Sequence, residues 1–87
     1  MKQNMLGYSI KDLERLSGVK AHTIRIWEKR YEIIKPKRTT TNIRLYDDED
    51  LKRLLNIAIL KDHGFKISEI ASFTNEMLSE KVLSFAF

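Results

Sequence analysis

Eighty-seven residues, 43% of them hydrophobic and 32% charged, suffice for one domain with a modest core and leave no room for a second. No apolar run approaches the ~18 residues that a membrane span needs, and the opening Met-Lys-Gln-Asn-Met-Leu-Gly holds no stretch long enough for a secretory signal. The chain has no cysteine, which excludes disulfides, thiolate metal sites and cysteine nucleophiles and suits a reducing cytoplasm. The net charge of +4 is unevenly placed: residues 20–46 carry eight basic side chains against two acidic ones, and residues 47–87 carry five against eight. A basic middle beside an acidic end is a directed field suited to docking a polyanion.

In chain order, Ser9-Ile10-Lys11-Asp12 reads as a capping box that opens a first helix. Ile10, Leu13 and Leu16 recur at helical spacing, and Ser17-Gly18 stops the helix after two turns. Val19 is a turn residue expected to pack inward. A second helix is predicted from about Lys20 to Tyr31. At 100° per residue, Ile24, Trp27 and Tyr31 share one face, with Ala21 and Glu28 at its edge, and the opposite face carries His22, Arg25, Ile26 and Lys29. Two short helices joined by a glycine-containing turn are the helix-turn-helix pattern, placed here at about residues 9–31.

Pro36 then forbids helix and holds Lys35 extended. Residues 33–38 and 43–46 are read as a two-stranded hairpin with a polar tip, where Asn42 can take a left-handed conformation. A lone hairpin is marginal in water, so Ile34, Leu45 or their neighbours must rest on the helices. Asp47 caps a third helix, with Asp48, Glu49 and Asp50 in its first turn and Leu51, Leu54, Leu55 and Ala58 as the expected buried stripe up to Gly64. A short helix over residues 67–73 should bury Ile67, Ile70 and Ala71. A last segment over 75–84 carries Leu78, Val82 and Phe85 on one side. The fold class is mainly α with a small β-hairpin: a winged helix-turn-helix, wing at 33–46, followed by helices at about 47–63 and 67–84. The ending Phe85-Ala86-Phe87 suggests a cut fragment of a longer chain.

Enzyme chemistry finds little support. His22 and His63 lack a third ligand at metal spacing, the acidic run 47–50 lacks the alternating oxygens and glycine of a calcium loop, and the three glycines stand apart, so no phosphate cradle exists. Trp27 and Tyr31 could stack on bases, but their phase with Ile24 favours the core. Arg25 points away from that core, where an arginine can grip guanine O6 and N7. Thr23 could reach a phosphate or a thymine methyl, and Ile26 would suit apolar contact in the groove. Lys37, Arg38 and Arg44 flank the hairpin tip, suited to sugar-phosphate on either side.

Taken together, Tyr8-Ser9-Ile10-x-x-Leu13-x-x-Leu16-Ser17-Gly18-Val19, Thr23-Ile24-Arg25-x-Trp27-Glu28, Lys35-Pro36-x-Arg38, Arg44-Leu45-Tyr46, Asp47-x-x-Asp50-Leu51 and Gly64-Phe65-x-Ile67-x-x-Ile70 resemble the N-terminal domain of MerR-type transcriptional regulators. The run from Thr23 to Tyr31 is closer still to a subgroup with a cobalamin-binding, light-responsive domain after the DNA-binding one. The resemblance implies sequence-specific binding to double-stranded DNA in transcription regulation, with residues 20–31 in the major groove. It implies that Thr23 and Arg25 face the groove and that Arg38, Arg44 and Tyr46 touch phosphates. It also implies a homodimer, formed through segments after Asn75 or outside this chain, with RNA polymerase as a further partner, activation or repression as the outcome and the nucleoid as the location. No cofactor is expected in this chain; cobalamin would belong to a following domain. Departures are Lys20 where a serine cap is usual, Ile26 where an aromatic is common, and Asn42-Ile43 where glycine and an aromatic are frequent. Two rival readings are an architectural or excisionase-like DNA-bending protein and a protein-interaction module using the Phe85–Phe87 end.

Overall fold

Three of the helices begin where a side-chain oxygen takes up an orphan N–H, from Ser9, Asp47 and Thr74. In the computed structural model, which describes residues 7–34, 37–38 and 44–86, helix α1 spans Ile10–Ser17 and opens on a reciprocal capping box. The Asp12 N–H donates to Ser9 Oγ at 3.1 Å, and the Ser9 N–H donates to Asp12 Oδ2 at 3.0 Å. Gly18, at φ 80°, closes α1 in the left-handed region that a side chain would disfavour. Helix α3 (Asp48–Asp62) opens the same way, Asp47 and Asp50 exchanging bonds of 2.9 Å.

Helix α2 (Ala21–Tyr31) has no such local cap, because Lys20 makes no side-chain capping bond. A carboxylate of α1 takes the role instead: the Ala21 N–H donates to Glu14 Oε1 at 3.1 Å. This anion beside the positive end of α2 replaces the missing serine and ties the angle between the two helices to a tertiary contact. Glu32, at φ 51°, ends α2 with an N–H bond back to the Glu28 carbonyl.

Beyond α2, Ile33 and Ile34 are buried at 1% and 4% exposure and lie outside any strand, which corrects the expectation that extended pairing starts at residue 33. The chain turns out of α2 through a left-handed residue, and these two isoleucines fill the core before pairing begins. Strands β1 (Lys37–Arg38) and β2 (Arg44–Leu45) pair antiparallel, with Lys37 opposite Leu45 and Arg38 opposite Arg44. The expected polar tip, with Asn42, lies outside the described residues. Tyr8 bridges Tyr46 on the chain beside β2, through Tyr8 N–H to Tyr46 O at 2.7 Å and Tyr46 N–H to Tyr8 O at 2.9 Å. The Tyr8 hydroxyl donates to Asp48 Oδ1 at 2.8 Å, and that bond holds the phenol above its ordinary pKa.

The architecture is mainly helical, with α3 at its centre: α1 packs on one side, and α4 (Ile67–Ile70) and α5 (Asn75–Ala86) pack on the other. Leu13, Ile24, Leu54, Ile57, Leu60, Ile70 and Leu78 are fully buried, and Trp27 is 9% exposed. Packing on two sides explains why the expected α3 stripe is only partly right. Leu54 is fully buried, but Leu51, Leu55 and Ala58 are half-buried while Ile57 and Leu60 complete the core. Leu16, expected in the α1 stripe, is 49% exposed. The helix expected over 67–73 ends at Ile70, and Phe73 packs against the core from the turn that follows. Phe85 stays 44% exposed, yet its ring stacks on His63 at 4.1 Å and meets Phe65 edge-on at 6.1 Å. Among the described residues no helix is long and apolar enough to cross a membrane.

Candidate nucleic-acid interface

The two faces of α2 differ in kind. Ile24 and Trp27 anchor the inner face, with Tyr31 packed against the core at the end of the helix. His22, Arg25, Ile26 and Lys29 are exposed, and Thr23 is half-buried at the boundary. Positions 22, 25, 26 and 29 fall within one turn-spaced stripe, so the structure brings these four expected residues together. Ile26 keeps 39% of its surface exposed in the middle of this cationic stripe.

Among the described residues, ion pairs join Arg15 to Asp12 at 3.0 Å and Lys52 to Glu49 at 3.9 Å, and neither Arg25 nor Lys29 has one. Two cations on a rigid helix face, with no carboxylate to satisfy them, project an unneutralised field outward. Arg30 lies outside the expected set but is exposed on the same helix, its guanidinium carbon 5.7 Å from the Tyr31 ring centroid. Its place in the last turn, next to Lys29, was the only signal for it. No group of three or more His, Cys, Asp or Glu side chains among the described residues is placed to hold a metal ion.

Of the expected strand residues, Lys37, Arg38 and Arg44 lie in the paired strands, where the register sets Arg38 directly opposite Arg44. Tyr46 is different. It is 1% exposed and belongs to the core, so the expected phosphate contact from its side chain is corrected. The physical reason is the bridge to Tyr8, which holds Tyr46 between the chain start and the helices. A tyrosine in a strand reads alike whether it faces in or out. Only the pairing partner, 38 residues away in sequence, decides.

Two charged residues that sequence reasoning passed over hold this surface in place. Glu14 caps α2, as described above. Arg53 on α3 donates to the Ile33 carbonyl just beyond the end of α2, and burial lowers its pKa from the ordinary value. Nothing local in the sequence separates either from a solvated helix charge.

A family model described as the MerR HTH family regulatory protein matches residues 8–77. The HTH-type transcriptional repressor CarH of Myxococcus xanthus is 37% identical over 71 residues, covering 82% of this chain and 24% of that protein. The HTH-type transcriptional activator mta of Bacillus subtilis is 36% identical over 64 residues, covering 72% of this chain and 24% of its own. The chain thus spans about a quarter of the length of these relatives. Among solved structures, HiNmlR, a MerR family regulator lacking the sensor domain and bound to promoter DNA, superposes with a TM-score of 0.69 at 24% identity. That superposition covers 92% of this chain and 68% of HiNmlR, a likeness of fold. A MerR family regulator from Bacillus cereus gives the same TM-score and identity over 91% of this chain and 63% of its own. With the family model covering α1, α2, the paired strands, α3, α4 and the first residues of α5, the chain belongs to the MerR HTH family.

Proposed function

We propose that this chain is the sequence-specific DNA-binding module of a transcription regulator, with α2 in the major groove and the β1–β2 segment acting as a wing on the flanking phosphates. The observation that carries the reading is the outer stripe of α2, where Arg25 and Lys29 stand exposed without acidic partners on a helix whose other face is locked into the core. A helix held that way can enter a groove as a rigid body. Arg25 reads a base edge, His22 and Thr23 contact the groove or its phosphates, and Ile26 meets apolar surface in the groove. The register of β1 and β2 adds support, because it sets the backbone positions of two arginines, Arg38 and Arg44, opposite each other in the segment proposed as the wing. Lys37 belongs to the same phosphate-facing set.

The exposed α5 side chains Met77, Leu83 and Phe85 support a homodimer in the full regulator. The relatives include a repressor and an activator, so regulation of transcription is proposed without a sign.

Base reading and phosphate clamping leave different marks on affinity. Duplexes selected from a randomised pool by the unsubstituted protein serve as the specific probe and a scrambled duplex as the non-specific one, each titrated at several salt concentrations. Arg44→Ala should lower the log–log salt slope by about 0.9 and weaken both duplexes alike. Arg25→Ala should cost about 1–3 kcal/mol on the selected duplex and much less on the scrambled one. If Arg25→Ala weakens both equally with a shallower slope, its base-reading role is wrong.

A further inference from the structure

A single guanidinium joins three parts of the fold. Arg53 donates from Nε to the Ile33 carbonyl, from Nη1 to Asn75 Oδ1 at 2.9 Å and from Nη2 to the Ala71 carbonyl at 3.4 Å. Ile33 follows the left-handed Glu32 that ends α2 and precedes β1. Ala71 follows α4, and Asn75 is the first residue of α5. The path into the paired strands and the start of the C-terminal helix therefore meet on one side chain of α3.

The chemistry of that side chain suits geometry more than stability. Burial lowers the Arg53 pKa, and the three acceptors its fork reaches, two backbone carbonyls and the Asn75 amide oxygen, are neutral. Desolvating a cation for neutral acceptors is a weak route to stability, and an apolar side chain packed there would avoid that cost. A planar fork instead fixes the direction of each acceptor relative to the others, which an ammonium on a flexible stem does not. On the open side the fork lines a shallow cleft of about 500 Å³ with Glu32, Glu49 and Thr74, so the Arg53–Asn75 contact lies at the surface rather than in the core.

We propose that Arg53 and Asn75 are positioning residues: their hydrogen bond carries the placement of α5 through the Ile33 carbonyl to the paired strands, and thereby sets DNA affinity. The inference rests on the DNA-binding reading above. Anything that moves the start of α5 changes the pull on Arg53, and with it Ile33, which precedes β1 in the chain. Neither Arg53 nor Asn75 touches DNA in this scheme.

The test is a double-mutant cycle between Asn75→Ala and Arg44→Ala in the full chain, read as affinity for the duplex selected by the unsubstituted protein. Asn75 is exposed, so its truncation removes one acceptor and leaves the core intact. Asn75→Ala should weaken binding by about 2- to 10-fold, the lower part of the range of coupling between residues in one network, with the salt slope unchanged. In the Arg44→Ala background the same substitution should have little further effect, because a strand that no longer holds phosphate gains nothing from correct placement. If Asn75→Ala binds like the parent at a temperature where both are folded, the fork is structural only. If the two losses simply add, α5 does not act through the strands. Should the parent protein select no duplex at all, the DNA-binding reading itself fails, which is seen before any variant is made.

Discussion

At Gly7 the backbone lies close against the chain at Tyr46, and it makes a sharp test of how the chain start is held. A Cβ added there would lie 2.9 Å from the Tyr46 carbonyl oxygen and 3.2 Å from Leu45 Cβ. That same carbonyl accepts the Tyr8 N–H at 2.7 Å, so the chain at Gly7–Tyr8 cannot move away from Tyr46 without stretching the bridge. Forcing a methyl into such a contact costs about 1–3 kcal/mol. Against this, alanine restricts the unfolded chain and returns about 0.4–1 kcal/mol, since Gly7 is not among the glycines with positive φ. The net expectation for Gly7→Ala is a loss of roughly 1 kcal/mol, or about 4–8 °C in Tm for a domain of this size. Urea melts followed by the fluorescence of Trp27, the chain's single tryptophan, read the effect as a lower midpoint at unchanged slope. Gly18→Ala is the contrasting case. Nothing lies within 4 Å of its added Cβ, and the cost of about 1–2 kcal/mol comes from φ 80° alone. If Gly7→Ala melts at or above the parent temperature, the Tyr8–Tyr46 bridge does not hold the chain start and the reasoning is wrong.

Two further outcomes follow from the packing and the caps. Trp27→Ala should destabilise the protein by about 3–5 kcal/mol, because the ring is 9% exposed beside Ile24; a variant that melts like the parent yet loses DNA binding would make Trp27 a contact residue instead. The Asp12 carboxyl is held below the usual range first by the Ser9 N–H, with burial opposing and the Ser9 hydroxyl and Arg15 adding to the lowering. Its contribution to stability is therefore complete above the unfolded aspartate value of about 3.9 and is lost as pH falls through the lower folded value. Asp12→Asn keeps an oxygen for the Ser9 N–H but cannot titrate, so its Tm should fall less than the parent's on acidification; parallel curves would refute the assignment.

What could be read from the sequence was what is decided locally. The starts of α1 and α3 were legible because Ser9 with Asp12, and Asp47 with Asp50, complete their bonds within one turn. The inner face of α2 was legible because Ile24 and Trp27 keep a single helical phase against a single neighbouring surface. Helix α3 defeated the same method, since a helix packed on two sides needs an apolar arc wider than one stripe. Ile57 and Leu60 fell outside the phase set by Leu51 and Leu54. Tyr46 was misplaced for a related reason: its orientation is fixed by Tyr8, and nothing in Arg44-Leu45-Tyr46 specifies that partner. The charged residues that position the site were invisible for the same cause. Glu14 reaches an N–H seven residues on, in the next helix, and Arg53 reaches a carbonyl 20 residues back.

The two faces of α2 therefore separate stability from recognition on a single helix. Ile24 and Trp27 bury apolar surface and contribute nothing to a salt-dependent affinity, while Arg25 and Lys29 stand in water without ion-pair partners and contribute little to the melt. Substitutions on the inner face should move the melting midpoint and leave the salt slope of the surviving folded protein alone; substitutions on the outer face should do the reverse. Glu14 is the point where the two meet. Its carboxylate is an anion on the stability side of the helix, and it fixes the N-terminal end from which His22 and Arg25 project. The helix-turn-helix geometry here thus depends on a contact between its two helices rather than on a cap within the second, so changes in α1 that never face the groove can still alter where α2 points.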